Sequence, residues 1–348
     1  MNGGGWGIQR VMAGDVTDNG RSERHYDENS TAAEVIAGHD LHGRDVVVTG
    51  GTSGLGCHTA QAFAMAGARV ILAGRNPIAG ERAAAAVARD AGNRQVAFEL
   101  LDLASLTSVE SFADRYLATG RPLHILVNNA GVMATPYRQT ANGFELQFGT
   151  NHVGHFALTK GLLPALTAAG GARVVSVSSS AHRRSDIDFD DPNFERREYD
   201  PWVAYGQSKT ANGLFAVELT RRFAGQGIFA NAATPGAAMT GLQRHLSTSD
   251  KIARGWLNPD GSTAEIPGWK TPEQGAATFV WAAVAPELEG VGGLYLNDCA
   301  IAEPWTGHGN PSGFGYYRPY LLDPERAGRL WTLTEQLIED RAAAGRRR

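Results

Sequence analysis

Residues 45–56 read DVVVTGGTSGLG, a β-branched run that ends in a glycine-rich turn. Unbroken valines after Asp45, with no polar residue alternating among them, fit a strand covered on both faces, as in a parallel sheet. The glycines permit a sharp turn and let the backbone come close to a ligand. The segment then opens a helix, whose free N–H groups and positive dipole end suit a pyrophosphate. Gly50, Thr52, Ser53, Gly54, Leu55 and Gly56 are therefore candidates for dinucleotide binding. A glycine turn alone is a weak signal, and its place between strand and helix gives it weight.

Working outward, short apolar runs recur at Arg69–Ala73, Gln95–Leu100, Leu123–Val127, Arg173–Ser178 and Ile228–Ala232. Between them lie Ala-rich or helically periodic stretches such as Pro77–Ala91 and Ser105–Ala118. Strand and helix in alternation predict an α/β fold with a doubly wound parallel sheet. Two segments break the rhythm, 181–202 and 237–270, and long connections of this kind serve as lids or binding loops. A last helix is announced by Asp323-Pro324-Glu325, an N-cap followed by proline at the first helical position. Residues 1–30 are polar and Gly/Asp/Asn-rich and read as a flexible N-terminal arm. No linker divides residues 31–345, which read as a single domain with long loop insertions and a C-terminal helix.

The 348 residues are 43% hydrophobic and 20% charged, with a formal net charge of −4. That balance argues against a nucleic-acid surface, which needs clustered Lys and Arg. The one basic run, Arg346–Arg348, reads as a solvated tail. Cys57 and Cys299 have no paired spacing, which fits a reducing cytoplasm. The longest apolar stretch, Ala276–Ala285, is about half of the ~20 residues a membrane span requires. The sequence thus reads as cytoplasmic, with a small-molecule substrate and no nucleic-acid or membrane partner.

The second strand ends Ala73-Gly74-Arg75-Asn76, where NAD-binding folds usually place a carboxylate for the ribose 2′-OH. No acid stands there to repel a 2′-phosphate, and Arg75 can hydrogen-bond one. NADP(H) rather than NAD(H) is the expected cofactor. Tyr205 and Lys209 are four apart in a predicted helix, Val203–Phe223, and share one face. A nearby ammonium favours the phenolate and lowers the tyrosine pKa, so the pair suits proton transfer.

With TGGTSGLG (49–56), Leu101-Asp102-Leu103, NNAGVM (128–133), NHVGHF (151–156), VVSVSSSAH (174–182), YGQSK (205–209) and Pro235-Gly236 in this order, the chain resembles the short-chain dehydrogenase/reductase family. The likeness runs over roughly residues 31 to 340 and is nearest in pattern to the branch of retinol dehydrogenases and WW-domain oxidoreductases. It implies a Rossmann-type fold and hydride transfer between nicotinamide and a carbonyl/alcohol pair, with Tyr205 as proton donor or acceptor. Ser179 would steady charge on the substrate oxygen, with Ser178 its nearest rival. Lys209 would hold the nicotinamide ribose, and Asn151 would bend its helix and hold a water linked to Lys209. Asp102 and Leu103 would flank the adenine, and Asn129, Ala130 and Gly131 the ribose. Thr240, after Pro235-Gly236, would reach the pyrophosphate or carboxamide. Family relatives are often dimers or tetramers, although long C-terminal additions can block those surfaces.

Other signals stay in the background. His152 and His155 share a helical turn but offer only two ligands, so no metal is expected. Asp186, Asp188, Asp190 and Asp191 lack the glycine and glutamate of a calcium loop. Trp202, Trp256, Trp269 and Trp305 lie in or near the loops, either lining an apolar substrate pocket or packing there. The long loops suggest a medium-to-large apolar substrate. Two alternatives remain beside carbonyl chemistry: a non-catalytic NADP(H)-binding sensor or scaffold, and a carbon–carbon double-bond reductase of the same fold.

Overall fold

The computed structural model describes residues 26–307 and 315–345. Eight strands form the main sheet: β1 (Asp45–Thr49), β2 (Arg69–Gly74), β3 (Val96–Leu100), β4 (Ile125–Asn128), β5 (Ala172–Val177), β6 (Ile228–Ala233), β7 (Tyr295–Asn297) and β8 (Ala300–Ile301). Their order is β8-β7-β6-β5-β4-β1-β2-β3. All neighbours run parallel except the β7–β8 hairpin, so the sheet is mixed at that edge. This is a Rossmann-like fold, with helices on both faces.

The valine run shows why. Val46 and Val48 enter one core layer, beneath the helices α1 (Gly54–Met65), α2 (Pro77–Asp90) and α6 (Pro272–Val284). Val47 enters the other, with α3 (Leu106–Leu117), α4 (Gly154–Gly161), α5 (Pro201–Phe223) and α7 (Pro324–Gly345). A strand buried on both sides has no polar face to alternate. The caps are local: Asn76 accepts from Ala79 N–H at 3.1 Å to start α2, and Asp200 accepts from Trp202 and Val203 N–H at 2.7 and 2.8 Å to start α5. Because β1 is flanked by β4 and β2, the chain leaves it in opposite directions, and a crevice opens at the carboxyl ends of β1 and β4.

Some elements differ from expectation. The helix expected from Val203 begins at Pro201, since proline fits the first helical position behind the Asp200 cap. The stretch noted only as apolar is α6, started by a capping box between Thr271 and Gln274. Segment 237–270 pairs its own ends, Ala237–Ala238 with Trp269–Lys270, rather than standing as an open loop. Of the arm expected over residues 1–30, residues 1–25 lie outside the described residues, as does the basic run 346–348. Within residues 26–30, Tyr26 packs on the core and donates to the Val35 carbonyl at 3.3 Å. Among the described residues, no helix is long and apolar enough to cross a membrane.

Candidate active site

The glycine turn closes the crevice floor. Gly50 and Gly54 have φ of +64° and +52°, a region that side chains rarely adopt. A Cβ on Gly56 would lie 2.4 Å from the Gly50 carbonyl oxygen and 2.5 Å from Asn129 Nδ2, so only glycine lets α1 start against the turn. Ser53 caps α1 without a side-chain bond, leaving the first-turn N–H groups of Gly54, Leu55 and Gly56 facing the crevice. Thr52 packs beside Gly74 at the end of β2.

Around this floor the predicted cofactor residues take different roles. Asn129 ties β4 to β1, its Nδ2 donating to the Thr49 carbonyl at 2.8 Å and its N–H to Thr49 Oγ1 at 2.9 Å. Ala130 N–H donates to the same hydroxyl at 3.0 Å. A Cβ on Gly131 would stand 3.1 Å from Asn151 Oδ1 and 3.8 Å from Lys209 Nζ, which brings those three residues together. Thr240 lies against Gly54, 3.6 Å from where its Cβ would be, while its hydroxyl accepts from Leu242 N–H at 3.2 Å. Gly236, after Pro235, turns with φ +73° beneath Lys270.

Not every expectation survives in its first form. Leu103 is 6% exposed and packs in the core, so only its backbone can face an adenine. Asp102 Oδ1 accepts from Ala104 N–H at 3.0 Å and shapes its own turn. Asn76 is committed to the α2 cap. Arg75 is exposed and has no carboxylate partner among the described residues. Arg244, on the turn after Thr240, stands near it, and its pKa is lowered by burial and then by the Arg75 charge.

On the other side, the predicted proton-transfer residues converge. Ser178 is buried and donates to the Lys209 carbonyl at 2.8 Å, which makes it structural. Ser179 Oγ accepts from Ala181 N–H at 3.1 Å, and Ser179 acts on the Tyr205 phenol in the sense that lowers its pKa. Lys209 Nζ lies 5.7 Å from the Tyr205 ring centre and donates to the Val177 carbonyl at 2.9 Å. The electrostatics correct the simple expectation. Tyr205 is pushed up to about 12 by burial, against a lowering hydrogen bond from Ser179. Lys209 is drawn down to about 7 by burial. Burial acts on both groups, raising the phenol and lowering the amine, and the Lys209 proton is directed at the Val177 carbonyl.

Asn151 sits in a π-helical turn, Gly149–Val153, that leads into α4. Its amide oxygen accepts from Val132 N–H at 2.8 Å, and its Nδ2 donates to the Val132 carbonyl and to Ser208 Oγ, each at 2.9 Å. Asn151 thus ties this turn to Val132 and to Ser208 of α5. Beside Tyr205, Met133, Ala134, Trp202, Leu242, Leu246 and Trp256 form an apolar wall. Trp202 meets Trp256 at 6.3 Å and Trp256 meets Trp269 at 5.5 Å, whereas Trp305 lies apart under Arg318 at 3.9 Å.

Two histidines matter more than their spacing suggested. His155 Nδ1 lies 2.9 Å from the Asn151 carbonyl and Nε2 2.8 Å from Thr49 Oγ1, so the ring bridges the glycine turn to the π turn. His182 holds the Ser179 carbonyl at 2.7 Å. Their signal lay in NHVGHF and SSSAH, read only as pattern. His152 bonds Thr334 instead, at 2.9 Å. Among the described residues no group of three His, Cys, Asp or Glu could hold a metal. The aspartates of 186–191 organise their own loop, Asp191 accepting from the N–H groups of Glu195, Arg196 and Arg197 at 2.8 to 3.1 Å.

Comparison with known proteins agrees with this geometry. The family model for short chain dehydrogenases matches residues 44–251. A protein of Streptomyces antibioticus described as a "probable oxidoreductase" is 49% identical over 293 residues, 84% of this chain and 96% of that protein. Human retinol dehydrogenase 12 is 40% identical over 298 residues, 86% and 87% of the two chains. A solved short chain dehydrogenase from Escherichia coli CFT073, complexed with NADPH, aligns with TM-score 0.57 and 25% identity, covering 74% of this chain and 97% of that one.

Proposed function

Since the chain belongs to the short-chain dehydrogenase/reductase family and is an oxidoreductase, we propose that it transfers a hydride between NADP(H) and a carbonyl/alcohol pair of a medium-to-large apolar substrate. The observation that carries this reading is Lys209 Nζ lying 5.7 Å from the Tyr205 ring centre and 3.8 Å from where a Gly131 Cβ would stand, with Ser179 acting on the Tyr205 phenol. The residues fit the cofactor. Gly50 and Gly56 let the turn, β4 and the start of α1 pack where a Cβ would collide, which brings the first-turn backbone of α1 to the crevice as a pyrophosphate site requires. Arg75, unpaired with a carboxylate among the described residues and joined by Arg244, suits a 2′-phosphate. NADPH in the complex of the Escherichia coli protein is consistent with that choice.

When bound, the nicotinamide supplies or accepts the hydride at its C4. In reduction, Tyr205 gives its hydroxyl proton to the substrate oxygen as negative charge builds there, and the Ser179 hydroxyl donates to the same oxygen. A phenol near 12 remains protonated at neutral pH and is a competent acid toward a developing alkoxide. Oxidation reverses these steps. Lys209 and Asn151 position the ribose side of the crevice, and the apolar wall of Met133, Trp202 and Trp256 excludes water and faces the substrate body.

The test is NADPH consumption with a panel of apolar ketones, and NADP+ reduction with the matching alcohols, for the natural chain and Tyr205→Phe. Turnover should fall by ~10²- to 10⁴-fold in the variant while NADPH binding is kept. Unchanged turnover would sink the assignment. Product analysis with enones separates carbonyl from double-bond reduction.

A further inference from the structure

The turn that carries Ser179 is held by a side chain to which the reaction above gives no role. His182 is fully buried, at 0% exposure, within the 3₁₀ turn Ser180–Arg184. Its Nδ1 lies 2.7 Å from the Ser179 carbonyl oxygen, which can only accept, so Nδ1 carries the proton. Its Nε2 receives the Arg318 N–H at 3.2 Å, which can only donate, so Nε2 is the bare nitrogen. Two partners 139 residues apart in the chain, Ser179 and Arg318, thereby fix one tautomer of a neutral ring. Burial draws the imidazole down to about 4, in keeping with that state.

The Arg318 side is firmly built. Leu321 is fully buried against α5 at Gly213, where a Cβ would come within 2.4 Å of the leucine side chain. Tyr320 donates its hydroxyl to the His182 carbonyl at 2.7 Å, and the rings of Tyr317 and His182 both pack on Tyr295, at 6.0 and 5.1 Å. At its other end the serine turn presses on Gly206, next to Tyr205, where a Cβ would lie 2.8 Å from the Ala181 carbonyl. The C-terminal segment 315–322, the serine turn and the Tyr205 helix thus meet at one ring.

We propose that His182 is a positioning residue through which segment 315–322 sets the placement of Ser179 against Tyr205. The inference rests on the reading of Ser179 as a donor to the substrate oxygen. The Ser179 carbonyl accepts from both the His182 N–H at 3.0 Å and its Nδ1, which anchors the peptide after the serine. Removing the Arg318 N–H leaves Nε2 buried without a donor. The ring then no longer has to present Nδ1–H to Ser179, and the serine turn loses its fixed register.

Arg318 has φ −71°, which proline adopts, and Tyr317 before it is extended, so Arg318→Pro suits the local backbone; it removes the N–H and sets the ring Cδ against His182 Nε2, which displaces the imidazole. Arg318→Ala keeps the N–H and removes only the guanidinium over Trp305. We expect Arg318→Pro to lower kcat ~10-fold below Arg318→Ala, with KM for NADPH the same in both. Equal kcat in the two variants, with Ser179→Ala strongly impaired, overturns the inference alone. No turnover by the natural chain, or full turnover by Ser179→Ala, overturns the reading beneath it and the inference as well. Should Arg318→Pro melt early, His182→Asn decides against His182→Ala, because asparagine restores a donor near the Nδ1 position. Recovery of kcat with Asn supports the inference, and equal loss overturns it.

Discussion

Lowering the pH from 7.5 to 5.5 should destabilise this protein by about 4 kcal/mol, through three buried histidines. His152, His155 and His182 are 2%, 3% and 0% exposed. Burial draws their pKa values from 6.5 to about 3, about 4 and about 4. A histidine with a depressed folded pKa stays neutral in the native state while its unfolded counterpart takes up a proton. Its contribution is therefore fully present above pH 6.5 and is lost as pH falls toward the folded pKa. Between pH 7.5 and 5.5 each ring loses about 1.3 kcal/mol. Glu145 works in the opposite sense, since burial raises its carboxyl, and it trims the sum at the acid end. The assay is urea unfolding at fixed ionic strength across this range. His182→Gln should remove up to about one third of the slope, because one of the three most strongly shifted rings is gone while His124 and His245, also drawn down by burial, still titrate. A midpoint flat between pH 7.5 and 5.5 would refute the claim that these rings are neutral and desolvated.

The remaining predictions concern the crevice. Gly56→Ala drives a methyl to 2.4 Å from the Gly50 carbonyl and 2.5 Å from Asn129, so melting temperature should fall and KM for NADPH rise, whereas Gly225→Ala, with open space around it, should do neither. Ser179→Ala should lower kcat by ~10²-fold with stability kept. Ser178→Ala should instead destabilise by about 1 kcal/mol through the lost bond to the Lys209 carbonyl, with a smaller effect on kcat, and the reverse pattern would move the catalytic assignment to Ser178. Arg75→Gln should raise KM for NADPH about tenfold and leave KM for NADH alone, and a parallel rise for both would show that Arg75 does not read the 2′-phosphate.

What the sequence made legible was local. The valine run, the glycine turn and the Tyr205–Lys209 spacing are short-range patterns whose physical meaning does not depend on distant residues, and they place the crevice and its two walls. The strand Tyr295–Asn297 was not legible, because three residues one strand in from the sheet edge, between glycines and a turn, carry no periodicity to count. The electrostatics of Tyr205 were only partly legible for a related reason. Spacing puts Lys209 on the same face, but burial of both groups and the Val177 carbonyl that receives the Lys209 proton belong to the tertiary structure. Leu103 illustrates the same limit, since a residue expected beside a nucleotide turned out to pack its side chain into the core.

The histidines were the least legible of all, and their arrangement explains why. His155 has its Nδ1–H on the Asn151 carbonyl, which leaves Nε2 to accept from Thr49, 106 residues away in sequence. His182 joins Ser179 to Arg318 in the same sense. Each ring is a neutral bridge with a proton at one end and a lone pair at the other. Carboxylate–arginine pairs could have tied these segments together as firmly. A fixed charge beside this site would then act on the proton that Tyr205 holds, since electrostatic interactions strengthen as water is excluded. A neutral imidazole holds position without adding a net charge. Burial keeps it neutral at working pH, and the resulting sensitivity to acid follows from the same desolvation.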